Sequence, residues 1–203
     1  MSEEPEEILD VEEVAEETKF KSPVPLLIRF RNFIFGKKKP DIYTRVTFYI
    51  NGVIMLVFLV WNLIGYFAIS MRETITEMKN VPIETVMHAR GLELGFHPED
   101  FVARVMTIYG IGVICWLAVM VGLILLYRKK QQFIYFILGG SFFYLGMQLF
   151  YMSFQYFKED TTGFDKSLLL IVIASTAIHA ILMRNEKKGG SISFFGEDEL
   201  EDQ

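Results

Sequence analysis

The 203-residue chain is 52% apolar and 15% aromatic, and its formal net charge is −5. A mean hydropathy of +0.32 is too high for an ordinary soluble domain of this size, so the composition indicates a membrane protein. The single cysteine, Cys115, excludes an intrachain disulfide and any metal motif built from paired cysteines.

The chain begins with an acidic segment, residues 1–21. Its first 18 residues hold nine carboxylates and no basic side chain, so we expect a disordered, solvated tail with too little apolar surface to offset its chain entropy. A weak helical stripe of aliphatic residues leaves a second interpretation open, a short helix that folds onto a basic cytoplasmic partner. Because the chain starts with acids and not with a basic n-region, we predict no cleavable signal peptide.

Residues 22–45 form a basic, amphipathic segment that precedes the first apolar run. In a helix its apolar residues fall on one side and its arginines on the flanks, which is the pattern of an interfacial helix on an anionic leaflet. The side chains expected to contact anionic lipid head groups are Arg29, Arg31, Lys37, Lys38 and Lys39. The alternative is a plain anchor that follows the positive-inside bias.

Four apolar runs account for the high hydropathy: residues 46–70, 101–127, 132–157 and 167–183. Each approaches or exceeds the ~17–25 residues that a spanning helix needs. We therefore predict an all-α integral membrane protein whose four-helix transmembrane domain covers residues 46–184. The second connection is too short for anything but a tight turn, so the second and third spans should form an antiparallel hairpin.

The distribution of basic residues predicts the orientation of the spans. Fourteen of the 20 Lys and Arg residues lie in the N-terminal segment, in the tight turn between the second and third spans, and in the C-terminal tail. By the positive-inside bias these segments are cytoplasmic, and the two acid-containing loops face outward. Both chain ends are therefore predicted to be inside.

The first outer connection, residues 71–98, is long enough to contain structure of its own. Pro82 begins a pattern typical of a short helix that ends near Gly91 or Gly95. Pro98, followed by two acids, is typical of a helix start. No set of potential ligands in this loop has the spacing of a metal site, and we predict none.

Polar side chains at membrane depth are expected to pack against protein and not against lipid. In the first span, Asn62 lies deep enough to need an interhelical hydrogen bond. In the third span, five polar residues recur at spacings of three and four, which places them in one narrow stripe of a single helix. They are Ser141, Tyr144, Gln148, Tyr151 and Gln155. We expect this stripe to face other helices or another subunit.

The fourth span carries a histidine at membrane depth, His179. We expect its neutral ring to hydrogen-bond Ser175 one turn earlier, or the polar stripe of the third span. Contact with a haem or a quinone is the alternative that makes His179 a cofactor-binding candidate. No other histidine lies at membrane depth to serve as a second axial ligand, although Met or Cys can substitute. We predict no bound cofactor.

Residues 185–203 form an acidic C-terminal tail that we expect to be disordered. It contains Phe194 and Phe195 between glycines, and two exposed rings on a bare tail would have no evident purpose. Capture of these rings by a partner subunit competes with their folding back to the lipid interface.

The four predicted spans contain no Asp or Glu, and no Lys or Arg beyond their ends. Pumps, ion-coupled carriers and intramembrane hydrolases generally place ionisable groups at depth, and no phosphate-binding loop, catalytic triad or zinc signature is present. We therefore predict no catalytic residues. We expect a non-catalytic integral subunit of a larger inner-membrane complex, which stabilises or tethers its partners through its helix faces and cytoplasmic tails.

Two alternatives remain open. The first is a small oligomeric transporter or channel lined by the polar stripe. The second is the membrane anchor of a haem or quinone redox complex. The expected partners are other integral membrane subunits, anionic lipid head groups and a basic cytoplasmic partner for the acidic tails, with no nucleic acid. The expected location is the bacterial cytoplasmic membrane, as a multi-pass protein.

Overall fold

The computed structural model describes residues 24–36, 40–79 and 82–187, which contain helices and no strand. The helices are α1 (Val24–Phe35), α2 (Ile42–Ser70), α3 (Arg72–Lys79), α4 (Ile83–Glu93), α5 (Pro98–Tyr127), α6 (Phe133–Gly146), a π-helix (Met147–Met152), α7 (Phe154–Glu159) and α8 (Gly163–Lys187). The predictions for the tail 1–21, for Lys37, Lys38 and Lys39, and for Phe194 and Phe195 lie outside the described residues.

Four helical segments are long and apolar enough to cross a membrane: Ile42–Ser70, Pro98–Tyr127, Phe133–Met152 and Gly163–Arg184. The chain is therefore a multi-pass membrane protein, because such helices satisfy their backbone polar groups within hydrocarbon. We call the end of the bundle with the 128–132 connection the turn end. The opposite end carries α3, α4 and α7, and we call it the loop end.

The local sequence accounts for where the first two spans begin. Asp41 caps α2, and its carboxylate accepts a hydrogen bond from the Thr44 backbone N–H. Pro98 occupies the first turn of α5, followed by Glu99 and Asp100 at the positive end of the helix dipole. The predicted helix start at Pro98 is confirmed.

The centre of the bundle is an aromatic and aliphatic core around α5. Trp116, Val119 and Leu126 are fully buried there. The Phe58 ring of α2 stacks on the Trp116 indole with centroids 4.5 Å apart, and Tyr144 of α6 meets the same indole edge-on. One helix, α5, thus connects the packing of α2 and α6.

The antiparallel hairpin of α5 and α6 is present and closely packed. A β carbon at Gly140 of α6 would lie 2.9 Å from the Cys115 carbonyl oxygen of α5, so the two backbones nearly touch there. The connection turns at Lys129, whose φ of 54° is left-handed. The turn and the small residue together hold the two helices in contact.

The third span differs from the predicted single helix over residues 132–157. The α-helix gives way to the π-helix at Met147, and the span ends at Ser153, whose φ of 108° and ψ of 155° are helical for no residue. α7 then begins afresh, capped by the Ser153 hydroxyl. Periodicity alone did not reveal this break, because π-helical turns keep the apolar composition of the flanking α-helices.

The loop end is held together by one arginine. Arg90 of α4 donates to Glu93 on its own helix, to Glu159 at the end of α7 and to Asp160, over distances of 2.6–3.0 Å. The hydrogen bonds to Asp160 and Glu93 raise the pKa of the Arg90 guanidinium above its ordinary value. The short helix predicted between the first two spans is thus present as α4, and Arg90 joins it to the connection between the third and fourth spans.

α1 belongs to a compact unit separate from the bundle. It confirms that the segment 22–45 contains a helix, and it ends one residue before Gly36, whose φ is 84°. Among its described side chains, Ile28, Arg29 and Arg31 are exposed. The predicted contact with lipid head groups stays a prediction.

Candidate functional site

Three groups of polar side chains, in the interior and at the turn end of the bundle, are spaced along the length of α2. The turn-end group contains Asp41, Thr44, Lys129 and His179. The middle group contains Asn51, Ser175 and Thr176, and the loop-side group contains Asn62 and Tyr144. Each group joins α2 to another helix, as the hydrogen bonds below describe.

In the turn-end group, Asp41 accepts hydrogen bonds from Thr44 and forms an ion pair with Lys129 of the tight turn. Thr44 donates its hydroxyl to Oδ1 at 2.8 Å, and Lys129 Nζ lies 3.1 Å from the same oxygen. Partial burial raises the pKa of Asp41, but the Thr44 hydrogen bonds and Lys129 outweigh it and leave the pKa below its ordinary value. The carboxylate is therefore the stable form in the folded chain.

His179 of α8 is 2% exposed and belongs to the same group. Its Nε2 lies 3.5 Å from the Thr44 hydroxyl oxygen, and the Tyr43 ring stacks on it at 5.0 Å. The predicted partners of His179 are wrong, since Ser175 bonds to Asn51 and the polar stripe lies elsewhere. The reason is that α2 and not α6 supplies the hydroxyl at this depth.

The tautomer of His179 follows from its neighbour. Because the Thr44 hydroxyl hydrogen is committed to Asp41, its oxygen accepts, and Nε2 carries the ring proton. Nδ1 is then a bare acceptor, and it is buried without a hydrogen-bond partner among the described residues. The ring thus holds one unused lone pair.

The middle group also joins α2 to α8. Ser175 donates to Asn51 Oδ1 at 2.8 Å, and Asn51 Nδ2 lies 3.4 Å from the Thr176 hydroxyl. Asn51 and Thr176 are completely buried. An amide within hydrocarbon needs such partners, because leaving it unpaired costs several kcal/mol on transfer scales; roughly 1–2 kcal/mol is typical of the resulting interhelical bond.

The loop-side group confirms that Asn62 makes an interhelical contact. Its Nδ2 donates to the Phe58 carbonyl oxygen at 2.7 Å, and its amide lies 3.4 Å from the Tyr144 hydroxyl of α6. Gly112 of α5 packs directly against this amide. Two helices thus approach Asn62 from different sides.

The predicted stripe of the third span is divided by the π-helix. Ser141, Tyr144 and Gln148 are buried, and Tyr151 is half-buried. Gln155 is exposed and donates to Glu159 on its own helix. Its placement in the stripe is wrong, because the wider π-turn and the break at Ser153 rotate the following residues away from the interior.

Ser141 and Trp116 carry further unpaired polar atoms. The Ser141 hydroxyl and the Trp116 indole nitrogen are buried, and neither has a hydrogen-bond partner among the described residues. The two residues belong to the two helices of the α5–α6 hairpin. The interior polar groups are therefore satisfied in part and not throughout.

Arg104 of α5 is a structural residue whose role the sequence did not indicate. It donates to the Tyr151 carbonyl oxygen at 2.7 Å, and its guanidinium lies 5.3 Å from the Phe96 ring centroid and 5.0 Å from that of Tyr151. A helix leaves its last carbonyl groups without intrahelical partners. Arg104 supplies a donor to one of them where the π-helix ends.

A polar stripe on α2 was the signal that could have located the first two groups. Thr44, Thr47 and Asn51 are buried and follow one another at spacings of three and four. Asn62 lies 11 residues beyond Asn51, which is again close to a whole number of helical turns. The first span thus carries its own polar face. The part near the turn end contacts α8, and Asn62, nearer the loop end, contacts α6.

The described residues contain no cluster of three or more His, Cys, Asp or Glu side chains suited to a metal ion. Comparisons with protein-family models, with curated proteins and with solved structures found no match for this chain. What the chain does must therefore be argued from its own geometry.

The exposed face of α2, together with the first residues beyond it, carries two shallow apolar grooves. One, of about 410 Å³, lies near the loop end and is lined by Val60, Leu63, Ile64, Phe67, Ala68, Met71 and Ile75. The second, of similar volume, is lined by Leu56, Val57, Val60 and Trp61. Val60 belongs to both, so the grooves form one continuous surface that we call the α2 outer face.

Proposed function

We propose that this chain is a non-catalytic integral subunit of a larger inner-membrane complex, and that it packs against a partner subunit through the α2 outer face. The buried polar residues of the described bundle are hydroxyls, amides, a phenol and one imidazole, without a carboxylate, lysine or arginine among them. Ion-coupled carriers and proton pumps rely on such charged groups at depth. The interior is better suited to packing than to transport or chemistry.

The exposure of Trp61 is the observation that carries this proposal. Its side chain is 60% exposed on the α2 outer face, and no hydrogen bond to its indole occurs among the described residues. Counting about 1.5 Å per residue, it lies about 4 Å from the midpoint between Arg45 and Arg72, which bracket the span. Trp61 thus sits near the middle of the bilayer and not at its surface.

Tryptophan usually lies at the membrane interface, where its N–H reaches water or head groups. Lipid tails at mid-depth offer no acceptor. A neighbouring helix with a carbonyl, hydroxyl or amide oxygen would satisfy the indole, and the grooves beside it would receive that helix's side chains. A partner subunit therefore explains both the residue and the shape of the surface around it.

The proposal includes an orientation and a location. We propose that the turn end and both chain ends are cytoplasmic, because the positive-inside bias favours that side for a segment that holds Arg128, Lys129 and Lys130. In this proposal, Arg29 and Arg31 of α1 bind anionic lipid head groups. The acidic tails would extend toward cytoplasmic partners, and the membrane would be the bacterial cytoplasmic membrane.

Site-specific photocrosslinking in the native membrane tests this function. A photoreactive amino acid at Trp61 should give one discrete cross-linked protein band, and the same amino acid at Phe142 of α6, which is similarly exposed, serves as the matched position on another face. Trp61→Leu should reduce the recovery of that partner from mild detergent while membrane insertion persists. A chain that cross-links to lipid alone and purifies as a lone monomer would overturn the proposal.

A further inference from the structure

The turn-end group connects three separate parts of the bundle through one carboxylate oxygen. Asp41 Oδ1 accepts a hydrogen bond from the Thr44 hydroxyl and forms an ion pair with the Lys129 ammonium. The Thr44 hydroxyl oxygen in turn lies within hydrogen-bonding distance of the His179 ring. Lys129 belongs to the α5–α6 turn, Thr44 to α2 and His179 to α8. A change in the protonation of the buried His179 ring can therefore act on the exposed Lys129 through only two intervening residues, Thr44 and Asp41.

His179 can accept one more proton without breaking a hydrogen bond that it already makes. Its Nε2–H faces Thr44, and its Nδ1 lone pair is buried and unpaired among the described residues. A proton taken from cytoplasmic water would form an Nδ1–H bond and give an imidazolium, with no other covalent change. The new charge would sit two hydrogen bonds from Asp41.

We propose that His179 is a proton-binding site that controls whether Lys129 stays paired with Asp41. A charged Nε2–H donor polarises the Thr44 hydroxyl, so Thr44 donates more strongly to Asp41 Oδ1. The imidazolium also repels the Lys129 ammonium, which shares that oxygen. Because the Lys129 side chain is 54% exposed, water can solvate it as it leaves.

Arg128 and Lys130 form no ion pair among the described residues, and the released lysine joins them at the turn end. On a cytoplasmic face, this makes the turn more attractive to anionic lipid or to an acidic segment when the pH falls. Among the described residues, the charged groups that act on His179 are Asp41 and Lys129. The stacked Tyr43 on α2 and the edge-on Phe133 on α6 complete its ring contacts.

NMR spectroscopy of the full chain in lipid nanodiscs tests the proposal directly. The ring of His179 and the backbone amide of Lys129 are followed between about pH 8 and about pH 5, the interval in which histidine ordinarily titrates. Both signals should shift with one common midpoint. His88 and His97 serve as reference rings, assigned by substitution to glutamine.

Two variants separate the proton site from mere packing. His179→Gln should abolish the pH response of the Lys129 amide. Because that change can also disturb the fold, Thr44→Val is the second variant: it keeps the ring and the threonine shape, so ring titration should persist while the Lys129 response becomes smaller, since only the direct repulsion remains. A His179 ring that does not titrate, or a Lys129 amide that responds as fully in Thr44→Val as in the original chain, would overturn the proposal.

Discussion

The Asn62 amide occupies the space that a side chain at Gly112 would need, so a β carbon at Gly112 would collide with Asn62 Oδ1. The Tyr144 ring lies 3.0 Å from the same β-carbon position. The loop-side group therefore depends on a missing side chain as much as on the polar atoms themselves. Three helices can meet at this point because α5 presents bare backbone.

Gly112→Ala should destabilise the bundle by about 1–3 kcal/mol, because neither Asn62 nor the Tyr144 ring can move away without losing their mutual contact. Thermal unfolding in detergent measures the change. Gly139→Ala is the matched control, since a β carbon there meets nothing within 4 Å. The control should stay within about 1 kcal/mol of the original chain. Equal stability of the two variants would contradict the described packing.

Tyr144→Phe should cost about 0.5–1.5 kcal/mol, because it removes the hydroxyl that meets the Asn62 amide while it keeps the ring against Trp116. Tyr135→Phe provides the comparison, since Tyr135 is 79% exposed and should be nearly neutral. Chemical unfolding of both variants in the same detergent gives the difference. Identical midpoints would mean that the 3.4 Å contact contributes nothing.

Ser153 combines backbone strain with a capping role, and two substitutions separate these effects. Its φ of 108° and ψ of 155° belong to a region that is essentially restricted to glycine, at a cost of about 1–3 kcal/mol for other residues. Ser153→Gly relieves the strain but loses the cap on Tyr156, whereas Ser153→Ala keeps the strain and loses the cap. Ser153→Gly should therefore unfold at a higher temperature than Ser153→Ala. The reverse order would argue against a break at this residue.

The lowered pKa of Asp41 predicts that the folded chain loses stability at acidic pH. Its pKa is lower in the folded chain than its ordinary value of 3.8, so its contribution is present above that value and disappears as the pH falls through the lower, folded pKa. Asp41→Asn keeps a competent helix cap but cannot titrate. The difference in melting temperature between the two proteins, measured from neutral pH down to about pH 3, should therefore shrink at the acidic end. A difference that is independent of pH would show that the charge of Asp41 is not stabilising.

The fold could be predicted well from the sequence because lipid imposes strong rules on composition. Four apolar runs, a proline at the start of α5 and a short turn after Tyr127 were enough to predict four helices and one hairpin. The break at Ser153 could not be predicted in this way. Where the π-helix ends, Arg104 reaches the Tyr151 carbonyl from another helix, and such a contact leaves no local pattern in the sequence.

The interior groups were predicted only in part, for a related reason. Asn62, Ser141, Tyr144 and Gln148 are inside the chain's own bundle, where a polar stripe in lipid was expected to lie. The partner of His179 was wrong, because a helical spacing shows which residues share a face and not which neighbouring helix that face meets. From the sequence alone, the hydroxyl of Ser175 and that of Thr44 were both possible partners of the His179 ring. The depth of α2 beside α8 determines that Thr44 is the partner.

The two polar groups shared by α2 and α8 also fix how far these helices can slide along each other. Apolar faces in lipid slip past one another with little change in energy, because one aliphatic contact replaces another. A slide of one turn would separate Thr44 from His179 and Asn51 from Ser175 at the same time, since both pairs join the same two helices. The hydroxyls and amides of the interior thus fix the register of α8 against α2, and this register sets the depth of the fourth helix in the membrane.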